Sequence, residues 1–200
     1  MTAQIKTFAD YEVLTASDVN NYLMNQAVIK VLNTTERDAL STSVKQAYNT
    51  TNGDVYVRNS SNAWLTYNTA WQTFTPTWTS SGTSPSLGNG TLTGAYLLQG
   101  KSVIWRVHLT MGSTTTYGSG AWRWDTPVTT AGVLAGAGGG LGNGSLYDTS
   151  AAARRMRDVY HSSTTYVSLS DQDGNAVGGS TPFTWANGDT VAFQATAEVA

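Results

Sequence analysis

The sequence predicts a mainly β protein, in which a small N-terminal α+β module, a helix plus a β-meander, precedes an antiparallel, jelly-roll-like β-sandwich. Two observations carry this prediction. Apolar and polar residues alternate over 102–111, with one side formed by Val103, Trp105, Val107, Leu109 and Met111; a period of two marks a strand with one buried face. Short strand-like runs punctuated by Gly, Asn and Pro then recur to residue 199, about eight or nine beyond residue 71, which is typical of a sandwich.

The alternating stretch is the second arm of a predicted hairpin at the centre of the second half of the chain. Residues 91–98 form another strand-like run, and Gln99-Gly100-Lys101 supplies a short turn that contains a glycine. The apolar face of the second arm must be covered, and the chain after about residue 71 supplies that cover.

The predicted domains are a separate N-terminal module over residues 1–70 and the sandwich over residues 71–200. A helix begins near Thr15, which with Asp18 has capping-box spacing. Its apolar stripe consists of Val19, Tyr22, Leu23 and Ala27, and its polar surface carries Asn20, Asn21, Asn25 and Gln26. Packing against a partner and an ordinary helix of a small domain both remain open. A second helical turn covers 34–40, with Thr34 or Thr35 as its cap.

A three-stranded meander is predicted after the second helical turn. Its strands are Ala47-Tyr48, residues 54–58 and residues 63–67, and its turns are Asn52-Gly53 and residues 59–62. A short linker at 68–70 leads to a strand over 71–78, with Pro76 near an edge or end. Further strands are expected at 121–124, 132–146, 154–160, 166–170, 181–185 and 189–199.

Composition excludes several classes of function. The net charge is −2 and only 12% of residues are charged, so binding of nucleic acid through phosphate neutralisation is not expected. The chain has no cysteine, which excludes a disulfide scaffold and a cysteine zinc site. The first residues lack the plan of a secretory signal, and no apolar run approaches the ~20 residues that span a bilayer. We expect a soluble protein without membrane insertion.

Two groups of residues are candidates for ligand or subunit contacts. Trp122 and Trp124 are two apart on a predicted strand and share a face, so they form either a platform for sugar rings or part of the core or a subunit interface. Arg123, on the opposite face, is a candidate for a contact across a subunit boundary. Arg155 and Arg157 also share a face. They are candidates for binding an anionic cell-wall polymer or an acidic neighbouring subunit, or they belong to an ordinary solvated surface.

No catalytic, metal-binding or cofactor-binding residue is predicted. The run Asp171-Gln172-Asp173-Gly174-Asn175 begins like a calcium loop, but its glycine is misplaced and Pro182 stands where the closing Glu belongs; a hairpin turn is the better interpretation. His108 and His161 are interpreted as structural, because no nucleophile-elbow motif and no metal-spaced histidine pair is present. No carboxylate pair stands out as a glycosidase dyad.

The run FADYEVLTASDVNNYLMNQAVIKV, followed by TTERDAL and by Asn62-Ala63-Trp64, resembles the N-terminal module of tail-associated proteins of tailed bacteriophages. The second half, from WQTFTPTW through PSLGNGTLTGAY and GSGAWRWDTPV to WANGDTVAFQATAEVA, is similar to the β-sandwich that ends many such virion proteins. The resemblance covers nearly the whole chain. Its motifs are more specific for a phage virion protein in general than for any one part of the virion.

The resemblance implies a non-enzymatic structural protein of the minor tail or short tail-fibre type, made in the host cytoplasm and located on the surface of the phage particle. The N-terminus would anchor to other virion proteins through Val19, Tyr22, Leu23, Asn25 and Gln26. The sandwich would form a homotrimer and present a surface to the host, with a cell-surface glycan as a candidate ligand. A capsid decoration or head-fibre protein of the same architecture is the alternative, and an envelope glycan depolymerase is a remote one.

Overall fold

The computed structural model describes residues 13, 15, 16, 28–132, 139–171 and 173–200. The chain divides into two compact units, the first ending at Ala70 and the second beginning at Trp71. The predicted N-terminal helix, with its apolar stripe and its candidate anchoring residues, lies outside the described residues except at its first positions. None of the helical segments in the described ranges has the length and apolar character that crossing a bilayer requires.

The elements from residue 28 to the end of the first unit are four strands, which form a sheet, and one short helix. They are β1 (Ile29–Val31), α1 (Thr34–Asp38), β2 (Gln46–Asn49), β3 (Val55–Arg58) and β4 (Trp64–Tyr67). Strands β2, β3 and β4 pair antiparallel in sequence order, which confirms the predicted meander. Both turns contain a residue with positive φ, Gly53 at 79° and Asn62 at 61°, as their residue types permit. Val31, Ala47 and Tyr56 form the small core.

Two features of the first unit differ from the prediction. Strand β1, which was not predicted, pairs in parallel with β2. The cap of α1 is Asn33, so the assignment to Thr34 or Thr35 is wrong. Asn33 has an extended backbone, and its side-chain oxygen accepts a hydrogen bond from the Glu36 amide at 2.9 Å. Both threonines are already helical, so neither occupies the flanking position that a cap requires.

Nine strands belong to the described part of the second unit. They are β5 (Gln72–Phe74), β6 (Trp78–Ser80), β7 (Thr91–Gly100), β8 (Ser102–Thr110), β9 (Trp122–Asp125), β10 (Gly140–Asp148), β11 (Ala153–His161), β12 (Tyr166–Ser170) and β13 (Thr190–Glu198). Their order across the sheet is β5-β7-β8-β13-β10-β11-β12-β9-β6, and all of these neighbours are antiparallel.

The predicted central hairpin is confirmed. Gln99 is opposite Ser102, and Gly100 takes a φ of 67° in the turn between the two strands, a backbone conformation that glycine adopts without a steric penalty. The predicted apolar side of β8 and the next residue, Met111, is at most 2% exposed throughout. Strand β8 is therefore a central strand with one face in the core.

The sheet of the second unit folds over itself to form two layers. Core side chains of β8, β10 and β13 pack in one cluster with Trp78, Trp122 and Trp124 of β6 and β9. Trp124 meets Phe193 of β13 edge to face, with ring centroids 5.5 Å apart. Because β9 and β13 are not neighbours in the sheet, this contact joins the layers. The predicted fold class, mainly β with an antiparallel sandwich and a small helix-containing meander, is confirmed.

Two predicted strands of the second unit are wrong. Residues 71–78 form β5 and β6 on either side of Pro76, paired with β7 and β9 respectively; proline has no N–H for a ladder and favours such a break. The stretch 181–185 is not a strand. It makes one isolated bridge, from Thr181 to Gly178, and the buried Trp185 indole donates to the Gly178 carbonyl at 2.8 Å.

Candidate functional site

Of the two interpretations of Trp122 and Trp124, a sugar platform or a part of the core or of a subunit interface, the structure supports the core. Trp122 and Trp124 are each 0% exposed. The Trp122 ring lies 4.7 Å from those of both Trp78 and Trp185, measured between centroids, and its Nε1 donates to the Tyr117 carbonyl at 2.9 Å. The interpretation of this pair as a glycan-stacking surface is therefore wrong, because neither indole face is accessible.

Each of the three candidate arginines has a different contact. The Arg123 guanidinium lies 4.8 Å from the centroid of the Tyr166 ring, and that of Arg155 lies 5.8 Å from the Phe183 ring. Arg157 donates to the Met156 carbonyl at 2.6 Å and helps to lower the pKa of Asp171, mainly set by hydrogen bonds from Asn175. Their contact with a glycan or with another subunit stays a prediction.

The acidic loop that resembled a calcium site is a hairpin turn, as the sequence favoured. Ser170 and Ala176 pair across it, and Gly174 takes a φ of 81°. The Asp171 carboxylate accepts hydrogen bonds from the amides of Asp173 and Asn175 and from the Asn175 side chain. Among the described residues, no group of three or more His, Cys, Asp or Glu is placed to hold a metal ion.

The two histidines have different environments. His161 is 2% exposed, and burial lowers its pKa. Its Nε2 lies 2.9 Å from the Thr130 hydroxyl, which itself donates to the Thr164 carbonyl. A hydroxyl has one proton to donate, so the imidazole is the donor of that bond. His108 is exposed on the outer face of β8, on the polar side of the strand where the alternation placed it.

The side of β7, β8, β13, β10 and β11 that faces away from the core carries a groove of about 630 Å³. We call it the outer groove, the space over residues 93–95, 106–108, 143–145, 192–194, Arg154 and Met156. Four spacings between neighbouring strands give it a reach of about 19 Å across the sheet. Concave sites are where ligands generally bind.

Strand register arranges the outer side chains in three parallel rows. The first row, from β7 to β11, is Ala95, Arg106, Gln194, Asn143 and Asp158. The second row is Thr93, His108, Ala192, Ser145 and Met156. The third row is Thr91, Thr110, Thr190, Tyr147 and Arg154. Residues from five strands of the sheet are thereby brought onto one surface.

Two outward positions of the groove carry small side chains, which leave space above the sheet. They are Ala95 on β7 and Ala192 on the central strand β13. Met156, which is 62% exposed, forms an apolar wall on β11. The amides of Asn143 and Gln194 and the hydroxyls of Thr93 and Ser145 offer hydrogen-bond donors and acceptors to a polar ligand.

Two guanidinium groups border the groove. Arg106 is exposed and stacks on the indole of Trp71, with its Cζ 4.4 Å from the ring centroid. Arg154 is exposed at the β11 end. Of the described residues that line the groove, none is acidic; Asp158 stands beside it, 3.4 Å from the Asn143 side-chain nitrogen.

Sequence reasoning missed this site, although part of its signal was present. The polar positions of the alternating strands, such as Arg106 and His108 in β8, were recognisable as an outer face. What placed them beside Gln194, Asn143 and Arg154 was the pairing of strands far apart in the chain, which alternation alone does not give.

Comparisons with protein-family models, with curated proteins and with solved structures gave no match.

Proposed function

We propose that this chain is a non-enzymatic structural protein of a tailed-phage virion, of the minor tail or short tail-fibre type, and that its outer groove binds a glycan of the host surface. The N-terminal module anchors it to other virion proteins, and the sandwich is displayed as a homotrimer. The resemblance of both halves of the sequence to phage virion proteins supports the virion assignment.

The observation that carries the binding role is the outer groove itself. Two of its outward residues, Ala95 and Ala192, are small, and its polar side chains are amides, hydroxyls, guanidiniums and the His108 imidazole, which match the many hydroxyl groups of a sugar chain as donors and acceptors. The groove stands on paired strands, so its side chains are held by a rigid scaffold. Its reach of about 19 Å across the sheet suits an extended oligosaccharide better than a single small molecule.

Gold-labelled antibodies against the protein, applied to whole virions, test the location. We expect label at the tail. Label spread over the capsid faces would instead indicate a decoration or head-fibre protein and would overturn the tail assignment. Light scattering of the purified protein at micromolar concentration tests the oligomer, with a mass of three chains expected and that of one chain contradicting it.

Competition for host cells tests the binding role. Purified protein added before the phage is expected to reduce adsorption, and Ala192→Trp, which fills the middle of the groove, is expected to abolish that competition. Thr196→Trp is the matched control, because Thr196 lies on the same strand and face about 13 Å further along. Equal competition by the wild type and both variants would refute a role for the groove.

A further inference from the structure

The charged side chains that line the outer groove are all basic, although the protein as a whole is not. The chain carries 11 Lys and Arg against 13 Asp and Glu, yet Arg106 and Arg154 border the groove and none of its described lining residues is acidic. We propose that the groove binds an acidic polysaccharide, whose carboxylates are held by these two arginines. This inference rests on the proposed glycan-binding role and names the class of glycan.

Arg106 is positioned to receive a carboxylate. Its guanidinium lies against the face of Trp71 at 4.4 Å, an arrangement that restricts the side chain and leaves the N–H edge of the planar group available. Arginine binds a carboxylate through two parallel N–H donors, which makes such pairs directional as well as strong. Holding the group in place before binding lowers the entropy lost on contact.

The placement of the second arginine favours a polymer over a small anion. Arg154 is three strands from Arg106 and four residues further along the sheet by register. The two Cα atoms are therefore separated by a distance on the order of 20 Å. One small anion cannot contact both groups, whereas a chain with repeated carboxylates can, with Gln194 and Asn143 available to its hydroxyls between them.

The acidic residues nearest to the groove do not balance the charge of its two arginines. Asp158 is beside the groove on β11, and one of its oxygens accepts from Asn143. Glu198 is on the same face of β13 but four residues beyond Gln194, about 13 Å away. Two arginines thus face the groove against one carboxylate at its edge, which favours an anionic ligand over a neutral one.

Titration calorimetry with the full chain tests the inference, using oligogalacturonate, its methyl ester and a single-stranded oligothymidylate as probes. The ester keeps the sugar backbone and removes the charge. We expect the acid to bind at least tenfold more tightly than the ester, and binding of the acid to weaken as NaCl rises from 50 to 300 mM. Binding of the oligothymidylate alone would overturn the proposal in favour of nucleic acid.

Three substitutions locate the contacts. Arg106→Gln and Arg154→Gln are each expected to weaken binding of oligogalacturonate about tenfold, the value of a charged hydrogen bond. Lys30→Gln is the control, because Lys30 is exposed on β1 of the first unit and is not a lining residue of the groove, so the substitution removes one positive charge elsewhere. The Lys30→Gln variant should bind with wild-type affinity, and a loss as large as that of Arg154→Gln would contradict the assignment.

The outcomes separate this inference from the proposed function. An array of neutral and acidic oligosaccharides is one readout. If the protein binds only neutral members, if Ala192→Trp abolishes that binding and if both arginine variants leave it unchanged, the acidic class is wrong and the groove remains a glycan site. If no oligosaccharide is retained and Ala192→Trp leaves competition for host cells unchanged, both proposals fail. Retention of acidic members that is lost in both arginine variants supports both.

Discussion

Replacing Trp122 with phenylalanine tests whether the paired tryptophans of β9 belong to the core. The indole N–H donates to the Tyr117 carbonyl at 2.9 Å, and phenylalanine removes that donor and also fills less of the space between Trp78 and Trp185. Trp124 provides an internal comparison, since it is also 0% exposed but its Nε1 has no hydrogen-bond partner among the described residues.

The two substitutions should differ in size. Loss of the hydrogen bond to a buried carbonyl costs about 1 kcal/mol, and the smaller ring leaves a cavity that costs about 2 kcal/mol. We therefore expect Trp122→Phe to lower the free energy of unfolding by about 3 kcal/mol. Trp124→Phe leaves a similar cavity but removes an unpaired buried donor, so a net loss of about 1 kcal/mol is expected.

Urea unfolding followed by tryptophan fluorescence measures both values, because six of the seven tryptophans belong to the second unit. Trp71 is 37% exposed, so Trp71→Phe should change the free energy of unfolding by less than about 1 kcal/mol. Equal losses for Trp122→Phe and Trp124→Phe would refute the hydrogen-bond argument. Unchanged stability of both, with loss of glycan binding, would refute the core assignment itself.

Three further substitutions test buried polar groups. Asp189→Asn should cost about 1–3 kcal/mol in urea unfolding, because this 0% exposed carboxylate accepts from the amides of residues 149 and 186; Asp173→Asn in an exposed turn should cost little. The lowered pKa of His161 means that the unfolded chain takes up the proton first, so stability is full above about pH 6.5 and declines as pH falls below it. His161→Leu should flatten that slope between pH 7 and 5. The pKa of Asp148 is lowered, first of all by the hydrogen bond from the Ser150 hydroxyl. This carboxylate therefore stabilises the fold above about pH 4, and that stability is lost as the pH falls through the pKa of the folded state. Asp148→Asn should accordingly reduce the acid sensitivity of the unfolding midpoint.

The parts of the fold that were predicted correctly are those with local signals. The alternation over β8 identified its buried face, and Gly100 identified the hairpin turn, because both depend on residues within a few positions of one another. The meander was predicted for the same reason, through Asn52-Gly53 and the loop that ends at Asn62.

The errors concern pairing between distant segments. Strand β1 has three residues, too few for a visible period, and it exists through parallel pairing with a segment beyond α1. Pro76 was recognised as unfavourable in a strand, but nothing local indicated that the chain on its two sides pairs with β7 and β9. For Trp122 and Trp124 the sequence left both a sugar platform and the core open, because the layer that folds over them decides between the two.

The same distinction explains why the outer groove and the core can change independently. On β8 and β13 the inward positions are occupied by residues such as Trp105 and Phe193, whose burial stabilises the fold. The outward positions, such as Arg106 and Gln194, are exposed and contribute little to that burial, so substitution there leaves the strands paired. Changes at outward residues alone would therefore change which ligand this face binds. The Arg106→Gln and Arg154→Gln variants should alter ligand affinity while changing the free energy of unfolding by no more than about 0.5 kcal/mol.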